Sequence, residues 1–257
     1  MKNLFLFLFL LVVFTSKAQD NRVSGLNSRQ FTKYWKVESE SPDYKVTFQG
    51  DTAEIVSPKG LTLWRKEKMS GKVTIEYDAC VVVESDGDRL SDLNCFWMAS
   101  DPQYPDNLWK REKWRSGIFL NCYSLQLYYL GYGGNHNSTT RFRRYDGDES
   151  GITNPKARPA ILKEYTDAGH LLKPNHWYHI KITNENNRVS YYIDGERLVD
   201  FRDAEPLREG WFGFRTTLSR TRITNFSYEC SSQEAAAVPL QWIGETPRQD
   251  KVVSGEE

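Results

Sequence analysis

Several absences narrow the functions open to this sequence. Its 257 residues include only four cysteines, none in C-x-x-C spacing, which argues against a zinc site. No Gly-x-Ser-x-Gly elbow, Walker loop, Rossmann fingerprint or His-Glu-x-x-His motif occurs. Ester hydrolases, nucleotide enzymes and zinc peptidases are therefore poor candidates.

Long hydrophobic runs are missing apart from one at the N-terminus. The run LFLFLFLLVVF (Leu4 to Phe14) follows Lys2 and precedes the small residues that end at Ala18. This is the pattern of a secretory signal peptide, and a bilayer span needs about 20 apolar residues. We predict a signal peptide over residues 1–18 and an exported, periplasmic or extracellular protein without a membrane span.

The chain has no excess charge of one sign, with 34 basic and 34 acidic residues. Without Lys2 and Lys17 the counts are 32 and 34. A general nucleic-acid binder needs a basic excess, so we expect no nucleic-acid partner. The oligomeric state stays open.

The four cysteines are Cys80, Cys95, Cys122 and Cys230. In an exported chain they could form two disulfides. Each also lies in an apolar context such as DACVVV or FLNCYSL, which favours buried free thiols.

Strand patterns fill most of the remaining sequence. KVTIEYDACVVV alternates apolar and polar residues with a period of two, as a half-buried strand does. GIFLNCYSLQLYYLG provides two further strand candidates, and Asn184 to Asn187 and Asp194-Gly195 indicate hairpin turns. Residues 19–230 thus predict one all-β domain, a sandwich or barrel, followed by a disordered or linker-like tail over 231–257.

The segment NHWYHIKITNENNRVSYYIDGERLVDF, followed by GWFGFRT and TRITNFSYE, resembles the C-terminal half of a concanavalin-like (laminin-G-type) jelly-roll β-sandwich. DLNCFWMASDP, GYGGNHNSTTRFRRY and VPLQWIGETP resemble a family of exported, mostly bacterial proteins associated with polysaccharide breakdown. Its members are often described only as domains of unknown function and are similar to rhamnogalacturonan- and glucuronoglycan-lyase systems. The resemblance implies an acidic polysaccharide or oligosaccharide as the ligand.

One glycine-rich stretch, LGYGGNHNSTTRFRRY, concentrates hydrogen-bonding side chains. His136 lies between Asn135 and Asn137, and Arg141 and Arg143 follow. Guanidinium and amide groups suit a carboxylate-bearing sugar, and the glycines allow the backbone to approach a ligand. A solvated loop with permissive glycines is the alternative.

These residue types fit β-elimination on a uronate. Cations and amides stabilise charge that moves into the carboxylate, while a side chain removes the neighbouring proton and another protonates the leaving oxygen. We assign His136 as the base, Tyr132 or Tyr145 as the acid, and Asn135, Arg141 and Arg143 to the carboxylate. The scheme requires no metal or other cofactor.

A second cluster, NLWKREKWRSG, interleaves aromatic and basic residues. Trp109 and Trp114 could stack on sugar rings, while Arg111 and Arg115 could bind acidic groups. A charged loop that covers the edge of the sandwich explains the same pattern equally well.

The acidic stretch ESDGDRLSDLNCFW includes Asp86 and Asp88. Their spacing resembles part of a calcium loop without the full pattern, so we expect a polar turn, and a structural calcium ion stays an open alternative. Two such carboxylates could serve a glycoside hydrolase, but the E-x-D-x-x-E signature of jelly-roll glycosidases is absent. The sequence therefore predicts a polysaccharide lyase, with a non-catalytic carbohydrate-binding module or a glycoside hydrolase as alternatives.

Overall fold

The computed structural model describes residues 23–231, so the predicted signal peptide and tail lie outside the described residues apart from Ser231. The strands of the described part are β1 (Val23–Ser24), β2 (Trp35–Ser39), β3 (Lys45–Gln49), β4 (Thr52–Arg65), β5 (Met69–Ser70), β6 (Lys72–Val81), β7 (Asn94–Ser100), β8 (Gln126–Gly133), β9 (Thr139–Asp146), β10 (Lys163–Tyr165), β11 (Tyr178–Glu185), β12 (Arg188–Ile193), β13 (Glu196–Arg202) and β14 (Glu209–Ser231).

Helical segments are single turns. Four-residue helical turns span Phe31–Tyr34, Glu112–Arg115, Gly134–Asn137 and Ser150–Thr153, and 3-10 turns span Leu108–Arg111, Leu120–Ser124, Pro155–Ala157 and Ala168–His170. In residues 23–231 we find no helix with the length and apolarity that a membrane crossing requires.

Hydrogen-bonded neighbours follow the order β10-β9-β8-β7-β14-β6-β11-β12-β13, with β4 alongside β14 and β2 and β3 alongside β4. The long strand β14 belongs to two layers. Its first part pairs with β7, and after a register shift between Thr217 and Ser219 it pairs with β6. The chain therefore folds into two antiparallel layers that share β4 and β14.

The main core lies between these layers. Strands β6, β11 and β12 bring aliphatic and aromatic side chains against those of β7, β8 and β14; for example, the Trp97 and Tyr191 ring centroids are 6.1 Å apart. The alternation predicted in KVTIEYDACVVV is seen in β6, which alternates half-buried and buried positions as far as Ala79. Each layer therefore has one face in this core.

The two hairpin turns predicted from the sequence connect β11 to β12 and β12 to β13. Asp194 and Gly195 both have positive φ, as a primed turn requires. One strand prediction is wrong: Leu120–Ser124 forms a 3-10 turn, and only the second half of that segment is a strand, β8. The four cysteines are free thiols, and three of them are buried.

Candidate functional site

The outer face of the β9-β8-β7-β14 layer carries a row of polar residues. Strand registers align Arg141 with Gly131, and Asn94 with Arg215, across neighbouring strands. Because side chains alternate between the two faces of a strand, these residues lie on the face opposite the main core.

A long connection, residues 101–125, covers part of this face and builds a second core. Its Leu108, Cys122, Tyr123 and Leu125 pack on aromatic strand residues that include Phe96. We call residues 101–125 the covering segment. The uncovered part of the face is an open groove with a cavity volume of ≈ 460 Å³.

We call this cavity the arginine groove. It is lined by the strand residues Asn94, Tyr129, Gly131, Thr139, Arg141, Arg143, Arg215 and Thr217, by Phe119, Leu120 and Tyr123 of the covering segment, and by Glu40, Arg89, Asp92, Gly134, Asn135, His136 and Arg158 of the loops.

A left-handed turn places His136 at the rim of the groove. Asn135, His136 and Asn137 have φ of 52°, 58° and 57°, a conformation that non-glycine residues rarely adopt in succession. The Asn137 amide holds the turn, because Nδ2 donates to the Leu172 carbonyl (2.9 Å) and Oδ1 accepts from the Leu172 N–H (2.8 Å). His136 is exposed and makes no hydrogen bond or ion pair with any residue in the described range.

Five arginines face the groove, and three of them have no carboxylate partner within residues 23–231. Arg89 pairs with Asp92 (2.7 Å) and Arg141 with Glu164 (2.5 Å). The other three donate only to neutral oxygens: Arg143 to Pro159 O, Arg158 to Gly151 O, and Arg215 to Gly117 O and Thr62 Oγ1. Since only two carboxylates line the groove, Glu40 and Asp92, its electrostatic potential favours anions.

Two tyrosines complete the groove. Tyr129 extends over Gly131, where a side chain would collide with its hydroxyl, so the glycine makes room for the ring. Burial raises the pKa of Tyr129 well above its ordinary value, and the nearby Asp92 carboxylate adds to this shift. Burial also raises the pKa of Tyr123. Both hydroxyls are therefore protonated and able to donate at neutral pH.

The structure brings together four of the residues predicted from the glycine-rich stretch: Asn135, His136, Arg141 and Arg143 all line the groove. Asn137 does not line it and instead anchors the turn to Leu172. Of the two predicted amides only Asn135 therefore lines the groove, and its Nδ2 donates to Thr139 Oγ1 at 3.2 Å.

Neither tyrosine predicted as the acid reaches His136 across the groove. Tyr132 lies on the opposite face of β8, buried in the main core, and its hydroxyl donates to the Leu171 carbonyl (3.3 Å). Tyr145 has the correct face but lies in the second core at 0% exposure. Both assignments are corrected, because strand register buries one tyrosine and the covering segment buries the other.

The cluster NLWKREKWRSG is largely structural. Arg111 donates to both oxygens of buried Asp101 and pairs with Glu149. Arg115 is fully buried and donates to both oxygens of Glu38. These carboxylates occupy the two guanidinium groups predicted to bind a ligand.

The tryptophans of this cluster also lie outside the groove lining. Trp109 packs edge-on against Trp211 with ring centroids 6.1 Å apart. Trp114 is 44% exposed and has the Arg111 guanidinium 5.0 Å from its ring centroid. Of the four residues predicted from this cluster to bind a ligand, only Trp114 is exposed, as a sugar-stacking residue would be.

The acidic stretch forms a polar turn. Asp88 Oδ2 accepts from the N–H groups of Glu84 (2.8 Å) and Ser85 (2.9 Å). Within residues 23–231 no three His, Cys, Asp or Glu side chains group as metal ligands would.

Sequence reasoning did not identify Arg89, Asn94, Tyr123, Tyr129, Arg158 or Arg215 as groove residues. Polar residues at strand positions of otherwise apolar segments, Asn94 in DLNCFW and Arg215 in GWFGFRT, were the available signal. A buried charge or amide in such a strand is rare unless it has a partner or a function.

Comparisons with known proteins agree with this architecture. The family model described as Domain of unknown function (DUF6250) matches residues 55–226, whereas no curated protein matches the sequence. A Bacillus subtilis protein of unknown function with a galectin-like fold is similar with a TM-score of 0.65 and 15% identity, over 83% of this chain and 96% of its own.

Two further solved structures are similar. The carbohydrate binding module CBM66 from Bacillus subtilis has a TM-score of 0.51 and 16% identity, covering 76% of this chain and 94% of its own. The VIP36 exoplasmic/lumenal domain in its Ca2+/Man3GlcNAc-bound form has a TM-score of 0.55 and 9% identity, covering 84% and 91%. The predicted all-β, concanavalin-like jelly-roll fold is thereby confirmed.

Proposed function

The chain belongs to the family described as Domain of unknown function (DUF6250), and we propose that it binds an acidic polysaccharide or oligosaccharide in the arginine groove. The observation that carries this proposal is the set Arg143, Arg158 and Arg215, three cations that line one cavity and form no ion pair with a carboxylate of residues 23–231. Guanidinium groups bind carboxylates and sulfates through paired N–H donors.

The fold supports a sugar as the ligand that bears the acidic group. CBM66 is named as a carbohydrate binding module, and VIP36 was solved with an oligosaccharide, on similar sandwiches. The groove also offers amide and phenolic groups for sugar hydroxyls, from Asn94, Asn135, Tyr123 and Tyr129. The balanced net charge disfavours a general nucleic-acid binder.

Isothermal titration with acidic and neutral glycans tests this proposal. The wild-type chain should bind polyuronates, and Arg143→Gln should weaken binding. The matched control is Arg188→Gln, because Arg188 lies on β12 away from the groove and pairs with Asp200 (2.6 Å). Equal affinity for neutral glycans, or equal loss in both variants, would contradict the proposal.

A second candidate function is cleavage of the bound uronate by β-elimination. It is favoured by one observation: His136, an exposed imidazole that has no partner among residues 23–231, and Tyr129, a protonated phenol, line the same groove as the arginines. In this scheme the arginines stabilise negative charge on the substrate carboxylate. His136 removes the proton from the ring carbon that bears the substrate carboxylate, and Tyr129 donates a proton to the leaving oxygen.

Ultraviolet absorbance of the unsaturated uronate product tests the second candidate. Digestion of polyuronates should raise this absorbance, and Tyr129→Phe and His136→Ala should each lower the rate by about two to four powers of ten. Tyr132→Phe is the control, because its hydroxyl bonds to Leu171 on the other face. New reducing ends without absorbance would indicate a hydrolase, and binding without cleavage would indicate a carbohydrate-binding module.

We further propose that the protein is exported after removal of residues 1–18. The N-terminal sequence of the mature protein should begin at Gln19. A mature chain that retains Lys2 would contradict export by this signal.

A further inference from the structure

We propose that the arginine groove binds two acidic groups on different sugars of one glycan, which makes its ligand a polyanionic oligosaccharide rather than a chain with an isolated acidic sugar. This inference rests on the proposed function. One acidic group binds at a floor subsite, formed by Asn94 and Arg215, and the other at a wall subsite, formed by Arg143 and Arg158.

The floor subsite begins with Arg215, a buried cation. Its side chain is held by Nη1, which donates to the Gly117 carbonyl (2.6 Å) and weakly to Thr62 Oγ1 (3.4 Å), and its guanidinium lies 5.5 Å from the Phe119 ring centroid. The residue is 3% exposed, yet no carboxylate of residues 23–231 forms an ion pair with it. Its charge acts on the Glu38 carboxylate, which Arg115 already binds, and a bound anion would give Arg215 a direct partner of its own.

Neighbouring carboxylates are already engaged. Glu38 is held by Arg115, and Glu40 accepts a hydrogen bond from the Gly60 N–H (3.2 Å). Asp92 pairs with Arg89. None of the three forms an ion pair with Arg215, although Glu40 Oε2 and Arg215 Nη2 both lie close to Gly60.

Asn94 gives an independent indication that a ligand binds at the floor. Its Nδ2 donates to Asp92 Oδ1 (3.2 Å), but its Oδ1 is buried without a hydrogen-bond partner, and the residue is 7% exposed. An unpaired buried acceptor is rare in a folded protein. Arg215 therefore presents donors and Asn94 an acceptor, which together match an acidic group beside a sugar hydroxyl.

The wall subsite lies on the other side of the groove. Arg143 projects from β9 and donates to Pro159 O, and Arg158 donates to Gly151 O (3.4 Å). Neither has a carboxylate partner within the described range. Both also lower the pKa of the Tyr123 hydroxyl through their charge, although burial dominates and raises it.

Strand geometry separates the two subsites. Arg215 lies on β14 and Arg143 on β9, and β7 and β8 lie between them. Three interstrand spacings of about 4.8 Å place the two backbones about 14 Å apart. The Arg215 head is held at Gly117 and Thr62, away from β7, and the Arg143 head at Pro159, away from β8. A ligand that binds at both heads would therefore bring two anionic groups.

Chain-length dependence tests this inference. Galacturonate, its dimer, trimer and tetramer, and sulfated oligosaccharides of matched lengths, would be titrated calorimetrically over a salt series. We expect affinity to rise about a hundredfold or more once a chain reaches both subsites. The dependence of log K on log salt should steepen at the same length, because more counterions are released. The two series distinguish carboxylates from sulfates.

Variants locate the two contacts. Arg143→Gln should reduce tetramer affinity towards that of a short chain, whereas Arg188→Gln should leave it unchanged. Arg215→Lys keeps a charge at the floor but loses the paired donors, and thermal unfolding would confirm that it folds. Because salt slopes need only the wild-type chain, the inference remains testable if Arg215→Lys unfolds.

The outcomes separate this inference from the proposed function. Equal affinity of monomer and tetramer, with no change in salt slope, would overturn the two-anion model while leaving acidic-sugar binding intact. If no acidic saccharide bound, the proposed function would be wrong, and the two-anion model, which rests on it, would be wrong as well.

Discussion

The buried pair Arg115–Glu38 leads to a prediction that separates structural arginines from ligand-binding ones. Arg115 Nη2 lies 2.9 Å from Glu38 Oε2, and the two side chains are 0% and 5% exposed. Arg115→Met removes the cation that pairs with buried Glu38 and leaves the carboxylate only the charge of Arg215, which forms no ion pair with it. Breaking a buried pair in this way costs about 3–5 kcal/mol.

The loss should be visible in thermal unfolding. For a domain of this size, 1 kcal/mol corresponds to about 2–4 °C in Tm, so Arg115→Met should lower Tm by about 6–20 °C. The double variant Glu38→Leu with Arg115→Met should recover part of this loss, because an apolar pair needs no charge compensation.

The pH dependence adds a second test. Burial raises the pKa of Glu38 even beside Arg115, and loss of the cation raises it further. A carboxyl with a raised folded pKa destabilises the protein as pH rises above its unfolded value of about 4.3. The destabilisation by Arg115→Met should therefore shrink in acid, where the Glu38 carboxyl is neutral.

Arg143→Met is the matched control. Arg143 is half-buried, has no ion pair within residues 23–231, and should change stability by only about 0.5 kcal/mol while weakening glycan binding. The reasoning would be refuted if Arg115→Met left Tm unchanged and abolished binding, because Arg115 would then belong to the site.

Three further predictions concern the surroundings of the groove. Burial alone would lower the pKa of His170, but hydrogen bonds to Asp167 (2.7 Å) and Glu196 (3.2 Å) raise it. The stability that charged His170 contributes to the folded protein should thus be complete below about pH 6.5 and be lost as the pH rises through its raised pKa. His170→Gln should flatten this part of a Tm–pH profile. An unchanged profile would contradict the assignment. Gly131→Ala should displace the Tyr129 hydroxyl, cost about 1–3 kcal/mol in urea unfolding and weaken glycan binding. Gly87→Ala, where a Cβ has no neighbour within 4 Å, should do neither. Asn137→Gly keeps the left-handed backbone accessible but removes both hydrogen bonds to Leu172, costing about 1–3 kcal/mol, and amide exchange at Leu172 should accelerate. Unaltered exchange would show that the turn is held by other contacts.

The fold could be predicted because its signals are local. Alternation in β6 and the Asp194-Gly195 turn depend on residues close in sequence. The glycine-rich turn could be predicted for the same reason. The all-β class and part of the groove follow from such short-range patterns, whereas the jelly-roll assignment came from the resemblance to concanavalin-like domains.

The rest of the groove depends on register, which the sequence does not show. Strand β8 is buried almost throughout, so no alternation indicates that Tyr129 faces the groove and Tyr132 the main core. Arg215 and Asn94 become neighbours only through the pairing of β14 with β7. Tyr145 is buried because residues 101–125 pack over it. Their sequence has no periodic pattern from which this packing could be predicted.

The length of the covering segment determines how much of the outer face is available to a ligand. The main core lies between the two layers, whereas residues 101–125 add the second core on one outer face and leave the groove open beside it. Lengthening or trimming that connection would alter the extent of the cleft and the number of sugars it accommodates. Such changes would also alter stability, because the same connection contributes Arg115 and much of the second core.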